Sequence, residues 1–242
     1  MKGTLTPEVR VKVPLTSAFR VKGTSMPQLQ AVLFDMDGLL VDTEPLWFEV
    51  ELDVMARLGG EWTAADQVAV LGSPSSAAAR YMVERSGSDT DPAEVGRWMD
   101  EGIVRRVRER VAILPGALDL LEDLHAAGVA CGLVSASVRP MVDAVLARVG
   151  TRHFAVTISG DDVSHNKPDP EPYLKAIAAL GSDPSRCVVL EDSPNGVAAG
   201  LASGCRVVAV PHAATIQPAE RLQVVQSLAQ VSAASLEAFI AT

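Results

Sequence analysis

The chain has 242 residues, 48% of them hydrophobic, which is enough to bury a core as one large domain or two smaller ones. Acids outnumber bases for a formal net charge of −9, which excludes a general electrostatic attraction to nucleic acid or to an anionic membrane. No apolar run reaches the length of a membrane span.

Residues 1–27 set Lys2, Arg10, Lys12, Arg20 and Lys22 against one acid, Glu8, and mix Val, Thr and Pro without a period. They read as an N-terminal extension, flexible or loosely docked. The stretch lacks the continuous apolar segment of a secretory signal, and a transit-like segment is the less favoured alternative because no clear amphipathic helix is present. Met26 offers an alternative start.

A rhythm begins at Gln30. "AVLFD" (31–35) is a short apolar run that ends in Asp35, with Asp37, Gly38, Asp42 and Glu44 close behind. The next seventy residues read as helix: "PLWFEVELDVMARLG" (45–59) opens on Pro and stops on Gly, and "SSAAARYMVERSG" (75–87) and "DPAEVGRWMDEGIVRRVRERV" (91–111) follow. A right-handed strand–helix–strand crossover needs far fewer residues. The spacing therefore predicts a small α-helical domain over 45–113, inserted after the first strand, with linkers near 42–45 and 112–116.

Strand and helix patterns then alternate. Helical stretches at 115–128, 140–150, 170–181 and 193–204 end at Gly128, Gly150, Gly181 and Gly204. Between them lie "VACGLVSAS" (129–137), "FAVTISGDD" (154–162), "CVVLEDS" (187–193) and "RVVAV" (206–210). Such continuous Val/Ile/Leu runs indicate strands buried on both faces. The fold class is α/β, a doubly wound Rossmann-like parallel sheet formed by 28–44 and 114–242, with the helical domain set over the ligand crevice. Cys131, Cys187 and Cys205 lie in or beside these runs and read as buried, reduced thiols, which fits a cytoplasmic setting.

Parallel strands all point one way, so their polar ends meet on one edge. Asp35, Asp37, Ser135, Glu191 and Asp192 converge there, and Lys167 reaches the same place from the loop "SHNKPDPEPY". Each taken alone has a bland reading: a strand-end Asp is usually a turn or cap, Ser193 before Pro194 an N-cap, and Lys167 a solvated loop residue. Together they are compatible with one chemistry. Asp35, Asp37 and Asp192 can hold a hard divalent cation such as Mg²⁺, Lys167 offers a charge to an anion, and the Ser135 hydroxyl with nearby N–H groups can cradle phosphate oxygens. This is the equipment of phosphoryl transfer.

At these residues the sequence resembles the haloacid dehalogenase superfamily. "DMDG" (35–38), "VSAS" (134–137), "NKPDPEPY" (166–173) and "LEDSPNG" (190–196) match its four motifs in order, and the likeness covers roughly 30–225. The resemblance implies an aspartyl-phosphate mechanism with Asp35 as nucleophile and Asp37 as general acid/base. It places Ser135, Ala136 and Lys167 around the phosphoryl group. It implies Mg²⁺ held by Asp35, the backbone carbonyl of Asp37 and Asp192, with Glu191 as a further ligand or as an anchor behind the ligands. The helical insert looks like the family's small cap, and cap motion on the two linkers is expected.

"FDMDGLLVDTEPLWFEVELDVM" is similar to the branch with hexitol and 2-deoxyglucose-6-phosphate phosphatases, kin of β-phosphoglucomutase. The mutases carry a His where Trp47 stands and a phosphate-gripping Arg where "LGSPSS" (71–76) stands, so the expectation is a phosphatase of a small sugar phosphate or similar metabolite. Trp47 can stack on a sugar face or serve as a core residue of the cap. The rival readings are the mutase, a metal-independent haloacid dehalogenase and a receiver-like signalling module. A monomer without nucleic-acid or membrane partners is the default.

Overall fold

The computed structural model describes residues 29–70, 75–211 and 215–242. The N-terminal extension of 1–27, with Met26, and most of the "LGSPSS" loop lie outside these residues. Among the described residues, six parallel strands form one sheet: β1 (Ala31–Phe34), β4 (Ala130–Val134), β5 (Val156–Ile158), β6 (Cys187–Glu191), β7 (Arg206–Ala209) and β8 (Leu222–Val224). Their order across the sheet is β5-β4-β1-β6-β7-β8. The chain winds outward from β1 first one way and then the other, which makes the carboxyl end of β1 the topological switch point where such sheets bind ligands.

Alternation along β1 explains the double winding. Val32 and Phe34 face one apolar cluster, with Leu120 and Leu124 of α5 (Ala117–Ala126), Met141 and Val145 of α6 (Arg139–Val149), and Leu236 and Ile240 of α9 (Ala233–Ile240). Ala31 and Leu33 face the other, with Tyr173 and Ile177 of α7 (Glu171–Leu180) and Val197 of α8 (Pro194–Ala202). The buried residues of β1 have no polar side chain until Asp35. Cys131, Cys187 and Cys205 are buried and free, as the sequence implied.

The stretch read as helical throughout holds α1 (Glu44–Arg57), α2 (Ala64–Val70), α3 (Ser75–Ser86) and α4 (Pro92–Arg110). It starts as helix, but its last two residues are strand. β2 (Val41–Asp42) pairs antiparallel with β3 (Ala112–Ile113), so the two expected linkers form a ribbon, Val41 opposite Ile113 and Asp42 opposite Ala112. Apolar packing runs without a break from Phe34 and Leu133 in the sheet to Val50, Met82 and Ile103 in these helices. After Ile158 the expected strand turns into one turn of 3-10 helix, Gly160–Asp162, closed by a reciprocal cap between Ser159 and Asp162. β8 and α9 lie beyond the last strand read from sequence.

Candidate functional site

β1 delivers Asp35 to the sheet edge, where its N–H bonds the Leu190 carbonyl at 3.0 Å. Lys167 Nζ donates to Asp35 Oδ1, to Glu191 Oε1 at 2.6 Å and to the Val134 carbonyl at 2.9 Å. Its side chain is 6% exposed. Burial works against the lysine's charge, but Asp35 and Glu191 outweigh it and hold the pKa above the ordinary value.

Glu191 is fully buried, and both of its oxygens accept hydrogen bonds. Besides Lys167, Oε1 accepts from the Tyr173 hydroxyl at 2.6 Å, while Oε2 accepts from the Asp192 N–H at 3.2 Å, the Ser193 N–H at 3.4 Å and the Ser193 hydroxyl at 3.1 Å. Ser193 also caps α8 by accepting from the Gly196 N–H, the role read from sequence. Any Cβ at Gly196 would collide with the Glu191 carboxylate, and any Cβ at Gly38 (φ +78°) with that of Asp192. Glycine at both positions is what lets the backbone approach the acids so closely.

Asp37 points to the other side. Its Oδ1 accepts from the Thr43 hydroxyl at 2.8 Å, and Oδ2 from Ser137 at 2.9 Å and Ser135 at 3.4 Å. Burial raises its pKa, against the pull of the Thr43 and Ser137 hydroxyls and of Lys167. Burial likewise lifts Asp35 well above the carboxylate range, with Lys167 opposing, and pushes Asp192 up to about 8 with help from Glu191.

Burial is the cause these shifts share, and for Asp35 and Asp192 the neighbouring carboxylates add to it against the single ammonium of Lys167. Asp35, Glu191 and Asp192 each bring a carboxylate oxygen within 4.8 Å of the others. An all-oxygen donor set with uncompensated charge fits a hard divalent cation such as Mg²⁺. The carboxylate of Asp37 stands outside this group.

The structure thus brings together Asp35, Asp37, Ser135, Lys167, Glu191 and Asp192. Ala136 is exposed in the loop beside Ser135, with its carbonyl turned toward Gly160. Trp47 lies one turn beyond Thr43, half-buried against the apolar cluster of α1 and its neighbours. Sequence reasoning passed over Thr43, Ser137 and Tyr173. Ser137 sits inside the quoted "VSAS", two residues past Ser135, and that spacing was the available signal. Tyr173 closes the quoted "NKPDPEPY", but its contact with Glu191 forms only through the packing of α7 on the sheet.

A further buried acid lies on α1. Glu51 accepts from the Trp62 indole N–H at 3.0 Å, and burial lifts its pKa from the ordinary 4.5 to about 7. Folding therefore favours the protonated form. The cost of folding is absent below about pH 4.5, grows toward pH 7 and is complete above it. Glu51→Gln is expected to melt higher than wild type at pH 8 and to lose that advantage at pH 4.5. Discounted for partial exposure, the gain at pH 8 is about 1–2 kcal/mol. Equal melting shifts at both pH values would show that Glu51 carries no such penalty.

Residues 32–210 match the family model described as haloacid dehalogenase-like hydrolase. Hexitol phosphatase B of Escherichia coli is 34% identical over 192 residues, 76% of this chain and 84% of that protein. Fructose-1-phosphate phosphatase YqaB of the same species is 32% identical over 181 residues, 74% of this chain and 95% of that protein. The crystal structure of CbbY from Rhodobacter sphaeroides with phosphate superposes with a TM-score of 0.75 at 27% identity, over 84% of this chain and 96% of that one.

Proposed function

Starting from the fact that the chain belongs to the haloacid dehalogenase-like hydrolase family, we propose that it is a Mg²⁺-dependent phosphatase of a small sugar phosphate or similar metabolite, working through an aspartyl-phosphate. The observation that carries this reading is the placement of Asp35 between Lys167 and the acids Glu191 and Asp192 at the sheet's switch point. The sugar-phosphate class rests on the names of the two phosphatase relatives.

Asp35 is the nucleophile. Lys167 holds Oδ1, leaving Oδ2 to attack phosphorus as the bond to the leaving oxygen breaks. Asp37, its pKa raised by burial and its carboxyl aimed by Thr43 and Ser137, gives its proton to that leaving oxygen. The resulting carboxylate then takes a proton from the water that attacks the phosphoenzyme, which releases phosphate and restores Asp35. Lys167, Ser135 and the backbone at Ala136 bind the phosphoryl oxygens. Bound by Asp35, Glu191, Asp192 and the carbonyl of Asp37, Mg²⁺ would supply the positive charge that lets two anions meet.

In this reading residues 45–113 are a cap that moves on the β2–β3 ribbon and shields the reaction from bulk water. A cytoplasmic monomer completes it, supported by three buried free thiols; among the described residues no helix is long and apolar enough to cross a membrane.

The test is phosphate release from a panel of phosphomonoesters with Mg²⁺, before and after chelation. Release is expected to stop on chelation and return with added Mg²⁺. Turnover that survives thorough chelation overturns the metal-dependent reading. Isomerisation of a sugar phosphate without net release places the chain with the mutases instead.

A further inference from the structure

Tyr173, in the first turn of α7, is fully buried. Its ring belongs to the apolar cluster that holds Ala31, Leu33, Ile177 and Val197. A phenylalanine would fill the same space. The hydroxyl adds nothing to that packing and is costly to bury unless it finds an acceptor. It finds one in Glu191 Oε1, at 2.6 Å.

That oxygen is shared. Lys167 Nζ donates to it at 2.6 Å and stands 5.0 Å from the centroid of the Tyr173 ring. Tyr173 therefore touches both the lysine and the acid, its ring against the ammonium and its hydroxyl on the carboxylate. The same helical turn also ties down the loop that brings Lys167. Glu171 accepts from the N–H groups of Ser164 and His165, each at 2.8 Å.

The other oxygen of Glu191 points along the chain. Oε2 accepts from the N–H groups of Asp192 and Ser193 and from the Ser193 hydroxyl. Rotation of the Glu191 carboxylate would thus disturb two things at once: its own place beside Asp35 and Asp192, and the peptide that aims Asp192. A phenol resists that rotation while carrying no charge. It fixes the acid without cancelling the negative charge that draws a hard cation to this group.

We propose that Tyr173 is a positioning residue for Mg²⁺: its hydroxyl sets the rotation of the Glu191 carboxylate, so that Glu191 and Asp192 meet the cation already aligned. The inference rests on the Mg²⁺-dependent reading of the site and deepens it. A share of metal affinity comes from the helix behind the lysine loop, through a residue that touches neither metal nor substrate.

Tyr173→Phe is the clean substitution, because it keeps the ring, its packing and its contact with Lys167. Calorimetry of the metal-free protein titrated with Mg²⁺ compares wild type, Tyr173→Phe, Glu191→Gln and the double variant, with a thermal melt of each. Tyr173→Phe is expected to raise the Mg²⁺ Kd about tenfold, and phosphate release should recover as Mg²⁺ is raised in proportion. In the Glu191→Gln background the same substitution is expected to change the Kd less than about twofold, since the group it acts through is gone. A Mg²⁺ Kd within twofold of wild type for Tyr173→Phe overturns the inference, whatever happens to the melting temperature. So does a full tenfold effect that persists in the Glu191→Gln background, or a loss of rate that added Mg²⁺ does not restore. Should Glu191→Gln not fold, the single Kd ratio decides alone. Wild type that binds Mg²⁺ and releases phosphate beside an unchanged Tyr173→Phe sinks the inference and leaves the phosphatase reading standing. Wild type that neither binds Mg²⁺ nor releases phosphate sinks that reading itself.

Discussion

Asp35→Asn is expected to lower phosphate release by at least about 10⁴-fold, the scale seen when a covalent nucleophile is removed. The amide keeps the size and shape of the carboxyl but lacks the electron density to attack phosphorus. The fold should survive. Burial already penalises the ionised Asp35, so a neutral group at this place is tolerated, and Lys167 keeps its bonds to Glu191 and the Val134 carbonyl. Phosphate release and a thermal melt measured together check both halves. Activity within tenfold of wild type would remove Asp35 from the nucleophile's role.

Lys167→Met has the largest expected effect on stability. The substitution keeps the apolar stem and deletes the ammonium that joins Asp35 to Glu191. Two buried carboxylates are then left facing each other, a situation that costs about 3–5 kcal/mol. Urea denaturation at pH 7 should show the loss, and phosphate release should fall to background. The acids are the source of the cost, and burial holds Asp35 above the ordinary carboxylate range. Protonation removes that cost, so the stability gap between variant and wild type should narrow as the pH is lowered. A gap under about 1 kcal/mol at pH 7 would mean that water or a cation already compensates the two acids.

The sheet was legible because its strands are buried on both faces. "AVLF" and "CVVLE" are apolar to the last residue before the edge, so both the strand and its polar terminus stand out. The same logic placed Asp35, Ser135 and Asp192 on one edge from residues far apart in the chain. It could not supply the hydroxyls that hold Asp37, because Thr43 and Ser137 are ordinary loop residues until the fold sets them 2.8 and 2.9 Å from its carboxylate. The ribbon of β2 and β3 was hidden for another reason. Two residues carry no period, and their pairing joins positions seventy apart. β8 and α9 were missed where short elements follow a Pro- and polar-rich stretch without a regular pattern.

That ribbon has a consequence for how the molecule is put together. Asp42 and Ala112 sit directly opposite each other, so the chain leaves the sheet layer and re-enters it at one point. To the core, everything from Thr43 to Val111 is an oversized hairpin loop, and a two-residue turn would close the same gap. A segment joined in this way can change length at its outer turns without changing the register of the strands that carry Asp35 and Asp192, while its helices stay packed on the shared apolar core and its Thr43 stays on Asp37.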